Sequence, residues 1–63
     1  MIFTADHIRA LATWSEQLGL TSAQAALFAL YHKMTVTKAV TDEEITCTAM
    51  NAIHIIRDAE QGN

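Results

Sequence analysis

Apolar residues recur along this chain at helical rather than strand spacing, in three runs. The first run is Ile8, Leu11, Ala12, Ser15 and Leu18, one face of a helix with a small polar residue set into it. Trp14 and His7 flank that stripe, and Arg9, Thr13, Glu16 and Gln17 fill the opposite face. Thr4 stands where an N-cap belongs, Phe3 and Ile8 are spaced for a hydrophobic staple, and Asp6 favours the positive end of the helix dipole. The spacing predicts a helix over about 5–18.

Gly19 then fits the left-handed position past a helix end. Leu20, one residue on, is placed to fold back on Trp14 or Ser15 as a Schellman motif requires. Thr21-Ser22-Ala23-Gln24 reads as a capping box for a second helix over about 22–35. A link this short makes the two helices neighbours, as an antiparallel hairpin or an angled corner. The second stripe is Ala23, Leu27, Leu30, Tyr31 and Met34, with Phe28 to one side. After Met34 the phase is lost, and Thr35-Val36-Thr37 is β-branched and a poor helix former. The helix is expected to end or distort near 34–36; a frayed continuation to Ala39 is the alternative.

Thr41-Asp42-Glu43-Glu44 is a second capping box, with Val40 and Ile45 in the staple positions. It opens a third helix over about 42–59, whose expected inner stripe is Ile45, Ala49, Ala52, Ile53, Ile55, Ile56 and Ala59. The polar end, Glu60 to Asn63, is expected to fray. The fold class expected is all-α: three short helices, the first two joined by a tight glycine turn, in a single small domain over residues 1–63.

Composition sharpens this picture. The chain has no proline, two glycines and 51% hydrophobic residues, a bias toward helix with a generous apolar share. A domain of this size buries only about 60% of the surface of its unfolded chain, so a partner subunit would add to a small core. The lone Cys47 excludes an internal disulfide and fits a reducing compartment. No basic segment precedes an apolar one at the N-terminus, so no signal peptide is expected. The longest apolar run, Ala25 to Tyr31, is too short to span a bilayer. A soluble, cytosolic protein without membrane contact follows.

The net charge of −3 is uneven. Residues 1–40 are near neutral, while residues 41–63 set Arg57 against Asp42, Glu43, Glu44, Asp58 and Glu60. Four scattered basic residues supply little of the phosphate neutralisation on which nucleic-acid affinity rests. Candidate chemistry is equally sparse. Ser15 and Ser22 have no histidine at a spacing that predicts contact. The carboxylates at 42–44 read as capping and dipole residues, and no glycine-rich phosphate loop is present. Cys47, Met50 and His54 share a helix face, but ligands spread over two turns of one helix cannot close round an ion without another chain. No enzyme activity, metal or cofactor is expected. His7 and His32 are expected to be partly exposed, with His32, Lys33 and Lys38 as the one small basic spot.

Trp14, Phe28, Val36, Val40 and Met50 do not all fit one three-helix core. They form either its outer layer or an interface, and aromatic residues and Met are enriched at interfaces. The candidate partner surface is Trp14, Leu20, Phe28 and Met50, and a homodimer is the expected assembly. A helix-turn-helix DNA reader is the alternative: Ser15 and Ala25 suit its small and apolar slots about Gly19. Its reading helix would then open with Ser22, Gln24, Ala25, Ala26 and Ala29, where a reader needs side chains for base edges and phosphates.

Taken whole, with "FTADHIRALATWSEQLGLT" near its start, the chain resembles the short early proteins encoded in the exo–xis region of lambdoid bacteriophages. The resemblance transfers no catalytic or binding residue. It implies an early phage protein in the host cytoplasm, linked to the choice between lysis and lysogeny or to host cell-cycle control. Such a protein would act by binding a host bacterial protein.

Overall fold

The computed structural model of the chain describes residues 3–62. Three helices, α1 (Ala5–Gln17), α2 (Thr21–His32) and α3 (Asp42–Glu60), carry the fold, with a π-helical turn (Lys33–Thr37) between the last two. Among the described residues there is no strand. The all-α architecture matches the periodicity.

Local chemistry sets each boundary. Thr4 caps α1: the His7 N–H donates to Thr4 Oγ1, and the Thr4 N–H donates in return to His7 Nδ1, each at 3.2 Å. This is a capping box closed by an imidazole, a role for His7 that the usual Glu/Gln pattern conceals. Phe3 packs on the core and meets the His7 ring edge-on, centroids 6.3 Å apart. At the other end Gly19 takes φ +73°. The Gly19 N–H donates to the Glu16 carbonyl (3.1 Å) and the Leu20 N–H to the Ser15 carbonyl (2.9 Å), the two bonds of a Schellman motif.

The capping box expected at Thr21 is not formed. Leu20 is the N-cap of α2, no side chain caps that end, and Thr21 is already helical. Gln24 instead donates from Nε2 to Glu16 Oε2 (3.1 Å), tying α2 back to α1. The reason is the short link: Leu20 closes the Schellman motif of α1 and is also the N-cap of α2, so no hydroxyl residue stands in the capping position. α1 and α2 thus form a helical hairpin with the most extensive contact in the molecule.

The expected break after Met34 is the π-helical turn, closed by Lys38 in the left-handed region at φ +56°. Thr41 caps α3 by accepting from the Glu44 N–H (3.1 Å). The Glu44 carboxylate does not return to Thr41; it pairs with Lys33 Nζ at 2.9 Å, so this capping box is half made. α3 runs through Glu60, Gln61 and Gly62 form a turn, and Asn63, the last of the expected frayed residues, lies outside the described residues.

The core lies where the three stripes meet. Ile8, Leu11 and Ala12 of α1, Leu27 and Leu30 of α2, and Ile45, Ala49, Ala52 and Ile56 of α3 are buried together. Phe3, Leu20, Tyr31, Met34, Val40 and Ile53 pack around them. Two stripe residues fall outside. Leu18, the C-cap of α1, is exposed, and so is Ile55, at 44%. At about 100° per residue, Ile53 and Ile55 point to opposite flanks of a stripe centred on Ala49, Ala52 and Ile56. Ile53 packs against the core, while Ile55 stays exposed.

Candidate functional site

Trp14, Phe28 and Met50 are 41%, 40% and 43% exposed, as their positions beside the stripes imply. Each lies about 110–130° round its helix from the centre of the buried stripe. Leu20 is different: it is half-buried and packed on the core, because the Schellman bond folds it inward.

The four candidate residues do not form one patch. Phe3, His7 and Leu11 line an open groove of about 310 Å³ with Ile53 of α3. Trp14, three residues beyond Leu11, continues that flank of α1, and Met50, three residues before Ile53, continues that flank of α3. The two therefore border the same α1/α3 side. Phe28 follows Gln24 by one turn, on the flank of α2 that Gln24 ties to Glu16, a separate side of the molecule. Leu20 belongs to a third side, where it lines a groove of about 370 Å³ with Thr21, Ser22, Ala23 and Ile55.

That third side is the one the sequence reading missed. Ile55 also bounds an adjoining groove of about 250 Å³ between α2 and α3, with Ala23, Ala26, Thr48, Asn51 and Ala52. Small residues on both helices leave the space, and Ile55 lines both grooves. The signal was available: three isoleucines within four positions of α3 (Ile53, Ile55, Ile56) cannot all face one core.

Among the described residues, no three His, Cys, Asp or Glu side chains converge as a metal site would require. Cys47, Met50 and His54 are each exposed along the outer face of α3. Ser15 is fully buried, and its hydroxyl has no hydrogen-bond partner. Asp42, Glu43 and Glu44 occupy the first turn of α3, where the dipole favours them. The Lys33–Glu44 pair is half-exposed on both sides and contributes little, on the order of 1 kcal/mol or less. The outward positions of early α2, Ser22, Ala25, Ala26 and Ala29, carry no charge, and Gln24 is engaged by Glu16. No described helix is long and apolar enough to cross a membrane. Comparison with protein-family models, with curated proteins and with solved structures found no match to this chain.

Proposed function

We propose that this chain is a small non-enzymatic binding protein. It is an early bacteriophage product that acts in the host cytoplasm by docking on a host bacterial protein, and it self-associates through an apolar flank. One observation carries the reading: six large apolar side chains, Trp14, Leu18, Phe28, Val36, Met50 and Ile55, stay exposed. Trp14 and Met50, on the flanks bounding the α1/α3 groove, are the residues of choice for the contact. Phe28, on another side, is available to a second copy. The resemblance to exo–xis region proteins supplies the phage setting and the link to the lysis–lysogeny decision.

The test has two arms. Sedimentation across a concentration series should show reversible self-association. Affinity capture from bacterial lysate should retain one stoichiometric partner with the native chain and with Phe28→Ala, and lose it with Trp14→Ala. A strictly monomeric chain that retains nothing specific would falsify the proposal. The helix-turn-helix alternative keeps only the Gly19 corner in its favour. It requires salt-sensitive binding to duplex DNA, and a flat titration at low salt eliminates it.

A further inference from the structure

At the end of α2, side-chain hydroxyls share the carbonyl acceptors of the backbone, around a left-handed C-cap at Lys38. Thr35 Oγ1 donates to the Tyr31 carbonyl at 2.9 Å, and Thr37 Oγ1 to the Lys33 carbonyl at 3.2 Å. Each hydroxyl reaches four residues back, to the acceptor that an α-helical N–H would use. The backbone is displaced by one residue: the Lys38 N–H reaches five back, to the same Lys33 carbonyl, at 2.6 Å. Thr37 Oγ1 also accepts from the Ala39 N–H (3.4 Å), so one hydroxyl spans the left-handed Lys38.

Packing on the core holds the turn at Met34. No residue of the π-helical turn is buried, and Val36 is 65% exposed. The turn's ion pair to the rest of the molecule, Lys33 to Glu44, sits at its first residue. The geometry also opposes a backbone preference, since Lys38 lacks the freedom of glycine at φ +56°.

We infer that the end of α2 is a two-register element, α or π, and that the hydroxyls of Thr35 and Thr37 hold it in the π register. In the α register the Thr37 N–H takes the Lys33 carbonyl and Lys38 leaves the left-handed region. The helix then uses more of the chain before Val40, which packs on the core, and Thr41, which caps α3. The register therefore sets how much slack links the α1–α2 hairpin to α3, and with it how α3 seats.

The experiment is solution NMR on the full chain with two double variants. Thr35→Val with Thr37→Val keeps β-branching and removes the hydroxyls; Thr35→Ser with Thr37→Ser does the reverse. The native chain should show a strong intraresidue amide–Hα NOE at Lys38, the mark of a positive φ. The serine pair should keep it. The valine pair should lose it and gain helical Cα shifts over residues 34–38, with the Ile8 and Leu27 methyls keeping the dispersion of a folded core. Should the valine pair fail to fold, Thr37→Val alone decides by the same signal. Retention of the NOE without the hydroxyls, or its loss in the serine pair, overturns the inference.

Discussion

Ser15 is fully buried on the inward face of α1, and its hydroxyl has no partner among the described residues. A buried unmet polar group costs roughly 1–3 kcal/mol, and alanine fits the same space. Ser15→Ala should therefore raise stability by about 1 kcal/mol in chemical denaturation; a fall in stability would mean that the hydroxyl is bonded after all. Ser15 was legible as an inward residue, since the stripe runs through it, but its isolation was not, because partners come from packing. Gly19 is a contrasting case. A Cβ there would meet nothing within 4 Å, so Gly19→Ala costs only the left-handed backbone, about 1–2 kcal/mol. Lys38 pays the same penalty in the native chain, and Lys38→Gly should return up to about 1 kcal/mol, read as a higher Tm.

The two threonines that both looked like N-caps separate the elements. Thr41 accepts from the Glu44 N–H and Thr21 accepts nothing as a cap. Thr41→Ala should cost about 1 kcal/mol, while Thr21→Ala should sit within a few tenths of zero; equal losses would contradict the assignment. The difference explains what the sequence could tell. A hydroxyl three residues before an acceptor-bearing side chain marks a helix start when the chain arrives free, as it does at Thr4 and Thr41. When the preceding helix ends at Gln17, just before the turn, its Schellman bonds claim the capping residue, and Leu20 takes both roles. The π-helical turn was legible as a break, from the lost phase after Met34 and the β-branched run. Its type was not, because it depends on hydroxyls choosing among carbonyls rather than on residue pattern.

At the scale of the whole molecule, the accessible surface is 4233 Å². Size scaling gives about 4000 Å² for a compact chain of this mass. Area alone therefore creates no deficit; what distinguishes the surface is where its apolar groups stand. That Trp14, Phe28 and Met50 would be exposed was readable from single helices. That Phe28 falls on a different side from Trp14 and Met50 was not, since it depends on how three helices wind round one another. Because Trp14 is 41% exposed, Trp14→Ala should cost clearly less than the roughly 3–5 kcal/mol of a buried aromatic truncation, so its larger effect should appear in association. Last, the short stretch after the π-helical turn has a practical meaning. Arg9 and Arg57 lie within helices and Lys33 is ion-paired, whereas Lys38 is exposed outside every helix. Limited trypsin digestion should thus nick first after Lys38, where exposed non-helical chain invites cleavage. The products, residues 1–38 and 39–63, are a complete hairpin and the helix that covers it. Expressed separately, they form a natural pair for fragment complementation, a seam at which the fold can be taken apart and rejoined.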